Sequence, residues 1–121
     1  KVLNTALLFK YYNIQSWNFP DDNLCPPISG RVDYIHHLAD LLKIQTSLKI
    51  KIIDVGIGTN CIYPLFGNVV YNWQFLGTDI DKKSLDRAEK NIEKNDLSDS
   101  IQFKQRKDTT QIFQGILNEN D

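Results

Sequence analysis

Nine residues, Ile52-Ile53-Asp54-Val55-Gly56-Ile57-Gly58-Thr59-Asn60, constrain this chain more than any other stretch. An apolar, β-branched run ends in an acid and then in two glycines one residue apart. A buried parallel strand reads this way when it turns sharply into a helix, because glycine lets the backbone bend and lets a ligand come close. A second strand-like run, Trp73 to Leu76, leads into Gly77-Thr78-Asp79, so another acid falls 25 positions after Asp54. Strand, glycine turn, helix, strand and terminal acid make half of a nucleotide-type α/β site. The expectation is a nucleoside-bearing cofactor held across the ends of two adjacent strands.

Upstream, Leu3, Leu7, Tyr11 and Ile14 recur at helical spacing, which predicts a short amphipathic helix carrying that stripe. The segment Ser16 to Pro27 holds three of the four prolines together with Trp17 and Phe19. Proline removes amide donors and drives its predecessor toward extended backbone, so a non-repetitive arm lying across the domain surface is expected. From Val32 a helix follows, with Ile35, Leu38, Ala39 and Leu42 as its apolar stripe and Leu41 widening it. His36 and His37 flank that stripe, either as hydrogen-bonding or solvated helix residues or as a catalytic or RNA-contacting pair. Arg31 stands before it, solvated or reaching a carboxylate with its planar fork of donors.

Leu48 to Val55 reads as the first strand, buried on both faces. Cys61 to Phe66 starts the crossover helix with Pro64 in its first turn, and Gly67-Asn68 is expected to end or bend it. After the second strand, Asp81 reads as the N-cap of a helix over Lys82 to Lys94, buried along Leu85, Ala88 and Ile92. Asp86 and Lys90 form a favourable i,i+4 pair there, and the remaining charges read as a solvated face. Asn95-Asp96 closes the helix, Ile101 to Lys104 alternates as a third strand, and Ile112 to Leu117 reads as a helical stretch interrupted by Gly115. The order is therefore β-α-β-α-β-α, preceded by a helix, an arm and a second helix. That order specifies an α/β fold, a parallel sheet with right-handed crossovers. Residues 1–47 are expected to pack on the core, and 48–121 to form the first half of a cofactor-binding α/β domain.

Composition narrows the function classes. The 121 residues suit one domain and are short for a complete cofactor-dependent enzyme. A formal charge of -1 exerts no global pull toward nucleic acid, which leaves room only for a local patch. No apolar run approaches membrane-spanning length and no secretory signal pattern opens the chain, so a cytoplasmic protein with no membrane partner is expected. Cys25 and Cys61 lie far apart in unlike contexts and read as reduced thiols. Neither Cys-x-x-Cys nor His-x-x-x-His occurs, so no metal site is expected.

A dinucleotide fingerprint requires a third glycine at position 61, where this chain has Cys61. S-adenosylmethionine carries no pyrophosphate. Its ribose offers two hydroxyls that a strand-end acid such as Asp79 can accept, and Asp54-x-Gly56-x-Gly58 suits its amino-acid end. Against this stand plainer readings, Asp54 as a cap of local amides and Asp79 as a turn residue.

The residues around the motif say more. Asp54-Val-Gly-Ile-Gly-Thr-Asn-Cys-Ile-Tyr-Pro64-Leu-Phe-Gly67 closely resembles the adenine-N6 RNA methyltransferases that modify bacterial 23S ribosomal RNA, whose eukaryotic relatives act on a spliceosomal small nuclear RNA. Leu24-Cys25-Pro26-Pro27-Ile28-Ser29-Gly30-Arg31 through Asp40 resembles the same family, as do Trp17 to Pro20, Gln105-Arg106-Lys107 and Ile112-Phe113. Two departures stand out: Asn18-Phe19 replaces the family's Asp-Ile, and Ser29 replaces a proline. The resemblance implies a Rossmann-like class I methyltransferase fold, S-adenosyl-L-methionine as cofactor and ribosomal RNA as substrate partner. It further implies Arg31 on the methionine carboxylate, Asp54 and Gly56 along the methionine end, Asp79 on the ribose, Lys107 and Asp108 near the adenine ring, and Gly58 and Asn60 as further cofactor-binding residues. The family's catalytic Asn-Pro-Pro-Phe motif is absent from the 121 residues and is expected beyond Asp121. The expected chain is thus the cofactor half of the enzyme, inactive alone. A non-catalytic scaffold module of the same fold and a nicotinamide-dependent oxidoreductase are the alternatives.

Overall fold

A computed structural model of the chain describes residues 1–43 and 49–117. The expected strand start at Leu48 and the boundary after residue 47 lie outside the described residues. Within them the order is α1 (Val2–Tyr12), α2 (Ile28–Lys43), β1 (Lys51–Val55), α3 (Ile62–Tyr71), β2 (Gln74–Asp79), α4 (Lys82–Glu93) and β3 (Ile101–Gln105). The strands form one parallel sheet in the order β1-β2-β3. Ile52 pairs with Phe75 and Phe75 with Ile101, and Asp54 lies level with Gly77 and Phe103. Partners across a parallel ladder share a face, so Ile52, Phe75 and Ile101 stand together on one side. That side meets Ile35, Leu65, Phe66, Leu85, Ala88 and Ile92 in the core. Ile53 and Leu76 point to the other side and remain half-buried.

The predicted order of elements matches through β3, with local corrections. In α1 the expected stripe faces outward: Leu3 is 70% and Tyr11 64% exposed, whereas Leu8 is fully buried. Asn13 closes the helix in the left-handed conformation (φ 55°), its amide bonding back to Phe9 and the next amide to Leu8. This hooked ending takes Ile14 off the helix and into the core. Helix α2 starts at Ile28, immediately after Pro26-Pro27, so Arg31 sits inside its first turn. Leu41 is 65% exposed and does not widen the buried stripe.

Gly67 and Asn68 neither end nor bend α3, which continues to Tyr71 with both residues buried. A Cβ at Gly67 would come within 2.6 Å of the Phe75 ring, so this glycine permits close helix–sheet contact rather than stopping the helix. Asn68 donates to the Trp73 carbonyl at 2.8 Å and ties the helix end to the start of β2. After β3, residues 112–116 form successive turns instead of a helix. Gly115 is left-handed (φ 68°), and the amide of Ile116 bonds to the Phe113 carbonyl only three residues back. The apolar residues of this stretch anchor through Ile116 alone, while Phe113 stays 55% exposed.

β1 is less buried than its apolar run suggests, because it is an edge strand among the described residues and its second face is open. The expected cap of α4 forms as read: the Asp81 carboxylate accepts from the amides of Lys83 and Ser84. The expected Asp86–Lys90 pair does not form, since Asp86 accepts from Lys82 at 2.7 Å. Cys25 and Cys61 are both free thiols. Among the described residues no helix is long and apolar enough to cross a membrane, and no cluster of metal-ligating side chains occurs.

Candidate functional site

The site is assembled at the carboxyl ends of β1 and β2. Beyond Val55 the backbone takes two positive φ angles, 81° at Gly56 and 66° at Gly58, which side-chain-bearing residues adopt only with strain. The amides of Gly56 and Ile57 both donate to the Thr78 carbonyl, at 2.8 and 3.1 Å, folding the turn against β2. Gly58 donates to Asp79 Oδ2 at 2.9 Å, and Asp81 donates to Asp79 Oδ1 at 3.0 Å. One carboxylate thus joins the glycine turn to the start of α4. Each of its oxygens keeps a lone pair for a further donor. A Cβ built on Gly56 or Gly58 would meet nothing within 4 Å, so open space borders the turn where a ligand would approach.

Asp54 stands beside this turn. Burial, with the Asp79 carboxylate adding to it, lifts its carboxyl from the ordinary range to about 6. No donor among the described residues reaches its side chain. Two acids therefore border one open space, and the less solvated of them takes up a proton more readily than an ordinary carboxyl. Such a place favours cationic groups and repels a pyrophosphate. Cys61 lies beneath, 1% exposed, its thiol pushed up by burial and then by Asp54. A thiol in that state is inert packing, not a nucleophile.

Across the strand end, Arg31 donates to the Tyr63 hydroxyl at 2.6 Å, with its guanidinium 5.5 Å from the centre of the Tyr63 ring. Tyr34 packs on Tyr63 at 5.3 Å between ring centres, and a small recess is lined by Tyr34, Tyr63, Asp54 and Ile52. Arg31 is in no ion pair among the described residues. The charge is half-buried, oriented and available to an anionic group.

Not every expected site residue converges on this space with its side chain. Asn60 Oδ1 accepts from the Ile62 amide at 3.2 Å, capping α3, and its carbonyl accepts from the Trp17 indole at 2.8 Å. The structure brings Asn60 to the turn as a fastening. Lys107 and Asp108 follow β3 at the same sheet end, since the Arg106 amide bonds to the Asp79 carbonyl at 2.8 Å. Both are exposed, and Asp108 accepts from the backbone and hydroxyl of Thr110, which holds its carboxyl low. His36 meets the Tyr71 hydroxyl and the Phe66 ring, and His37 sits exposed beside Asp33, so both take the plain structural reading.

Three contributors carry no sequence signal of their own. Thr78 acts through its carbonyl, which any residue supplies. Tyr63 belongs to the quoted motif, yet its partnership with Arg31 spans 32 positions. Asn91 exchanges hydrogen bonds with the backbone of Asn18, at 2.9 and 2.8 Å, and its side-chain amide reaches the Thr59 carbonyl at 3.4 Å. It fastens the arm and the glycine turn to α4, and on a helical wheel it reads only as one more polar position.

Known proteins share this sequence and fold. A family model described as RNA methyltransferase matches residues 1–121. The ribosomal RNA large subunit methyltransferase F of Flavobacterium psychrophilum is 47% identical over 128 residues, covering 100% of this chain and 41% of that protein. The N-terminal domain of human METTL16 in complex with S-adenosylhomocysteine superposes with a TM-score of 0.88 at 34% identity, over 99% of this chain and 46% of the other. The METTL16 catalytic domain in complex with a MAT2A 3′UTR hairpin gives 0.78 at 36% identity, over 88% and 37% respectively. The chain spans about two fifths of the length of the curated relatives it matches. With a Rossmann-like class I architecture, a glycine turn between two strand-end acids and a family match over its full length, the chain belongs to the RNA methyltransferase family.

Proposed function

We propose that this chain is the cofactor-binding part of an S-adenosyl-L-methionine-dependent RNA methyltransferase that acts on N6 of an adenine in 23S ribosomal RNA. The observation that carries the cofactor assignment is the juxtaposition of Asp54 and Asp79 across the open glycine turn, with Arg31, in no ion pair among the described residues, held nearby by Tyr63. S-adenosylmethionine presents an ammonium and a sulfonium to acids and a carboxylate to an arginine. A dinucleotide would set its pyrophosphate against Asp54. Asp79 then accepts from the ribose hydroxyls, Arg31 holds the methionine carboxylate, and Gly56 and Gly58 admit the cofactor to the backbone. Asn60 braces that turn, and Lys107 and Asp108 border the adenine end. The S-adenosylhomocysteine complex of the human neighbour and the ribosomal RNA named by the bacterial relative support the same reading.

Methylating a base amine requires the base to leave its stack and enter a pocket beside the methyl group. None of the described side chains makes an amide-and-aromatic clamp at the glycine turn. Cofactor capture is assigned to these residues.

Calorimetry on the chain with S-adenosylhomocysteine and with NADH tests the cofactor. The former is expected to bind and the latter not, and Asp79→Ala is expected to lose about 1–3 kcal/mol of binding as charge-assisted hydrogen bonds disappear. Preference for NADH would overturn the assignment. For the whole gene product, nucleoside mass spectrometry of treated 23S RNA is expected to find N6-methyladenosine. A different methylated nucleoside would remove adenine from the proposal.

A further inference from the structure

We infer a second functional surface, a groove between the N-terminal arm and α4 that takes the phosphate backbone of RNA. The polar side of α4 segregates by charge. Lys83, Arg87, Lys90 and Lys94 recur at spacings of four, three and four and form one stripe, while Asp86, Glu89 and Glu93 fall on the neighbouring one. The basic stripe adjoins Asn91, whose bonds to the backbone of Asn18 hold the arm in place. Asn95 adds a second clasp, accepting from the Gln15 amide at 2.7 Å and donating to the Ser16 carbonyl. The resulting groove, about 450 Å³, is lined by Lys1, Arg87, Lys90 and Lys94. Its one carboxylate, Asp21, is 3.0 Å from Lys1.

The three α4 cations of the groove have no carboxylate within ion-pairing distance among the described residues. Asp86, the natural i,i+4 partner of Lys90, is taken by Lys82 instead. In a chain of net charge -1, this concentrates positive charge along one wall of the groove. Arg87 to Lys94 covers about 10 Å of helix, a linear array suited to successive phosphates rather than to one small anion. Direction matters too. The N-cap of α4, Asp81, is bonded to Asp79, so the stripe leads away from the cofactor end of the sheet. A strand lying along it is guided toward the glycine turn. The groove offers no exposed aromatic ring, since Phe19 is 4% exposed, so contacts here position the RNA without reading its bases.

The groove itself is independent of the cofactor assignment. The choice of RNA over another polyanion rests on the proposed function. Fluorescence anisotropy of a labelled single-stranded oligouridylate on the chain, across a salt series, tests it. Arg87→Glu with Lys90→Glu is expected to weaken binding at least about tenfold and to flatten the dependence of affinity on salt. Lys10→Glu with Lys49→Glu, the same charge change placed elsewhere, is expected to cost less than about twofold. The neutral pair Arg87→Gln with Lys90→Gln, checked by circular dichroism, guards against misfolding and is expected to give an intermediate loss. Absence of RNA binding by the chain, equal losses in groove and control variants, or competition by polyglutamate as strong as by polyuridylate would each overturn the inference. S-adenosylhomocysteine affinity measured in parallel is expected to be unchanged in the groove variants. Its absence in the unaltered chain would remove the cofactor reading while leaving the groove to stand or fall on the RNA data.

Discussion

At the scale of the residue, Asp54 and Arg31 are the two charged groups most shaped by their surroundings. Burial, reinforced by Asp79, lifts the Asp54 carboxyl to about 6, above its unfolded value. The folded state therefore binds that proton more tightly than the unfolded chain. The stability it contributes is complete below about pH 4 and is lost as pH rises through about 6. Asp54→Asn is expected to raise the stability of the ligand-free chain by about 1–3 kcal/mol at pH 7 and to change it little at pH 4, with weaker S-adenosylhomocysteine binding. Thermal melts at the two pH values check this; an equal shift at both would assign the effect to packing. Tyr63 fixes the direction of Arg31 through a 2.6 Å hydrogen bond. Tyr63→Phe is expected to weaken S-adenosylhomocysteine several-fold and to leave methylthioadenosine, which has no carboxylate, unaffected. Equal loss for both ligands would make Tyr63 a packing residue only. Asp54, the two glycines and Asp79 were legible in the sequence because their spacing follows from strand and turn geometry. The Arg31–Tyr63 pair was not, because two helices far apart in the chain create it.

At the scale of the element, a cap supplied by a residue's own side chain was legible in the sequence, and a helix end set by contact was not. Asp81 caps α4 through its own carboxylate, a local event visible in sequence. Gly67 looked like a helix stop by the same local logic. It lies instead where the Phe75 ring crosses α3, with 2.6 Å to an added Cβ. Gly67→Ala sets two effects against each other: helix propensity favours alanine by about 1 kcal/mol, and forcing a methyl into a buried ring costs about 1–3 kcal/mol. The ring has little room, being 5% exposed, so net destabilisation is expected in urea unfolding. A stabilised variant would show that the ring yields and that close packing is not what holds glycine at this position. The outward stripe of α1 has the same origin. Leu3, Leu7 and Tyr11 satisfy helical spacing, but the hooked end at Asn13 and the burial of Leu8 rotate the other face inward.

At the largest scale, the sheet formed by the described residues divides into a covered and an open face. Phe75 and its neighbours Ile52 and Ile101 meet all three helices that follow the arm, while Leu76, one residue on, faces a broad depression lined also by Ile53 and Gln102. Phe75→Ala is therefore expected to cost about 3–5 kcal/mol, as for a buried aromatic truncation. Leu76→Ala is expected to cost about 1 kcal/mol, because much of its side chain is already wet. Chemical denaturation of the pair measures the difference, and equal losses would contradict the one-sided layer.

The sequence by itself determined the α/β order, the parallel sheet, the glycine turn and the two acids, because each arises from periodicity or from a few adjacent residues. It determined the family through the run from Asp54 to Gly67. Tertiary structure alone decided which face of α1 is buried, why Gly67 must be glycine and how Tyr63 aims Arg31. It alone placed the basic stripe of α4 against the arm. Those outcomes depend on which segments meet across the fold, and spacing along one chain does not encode that meeting.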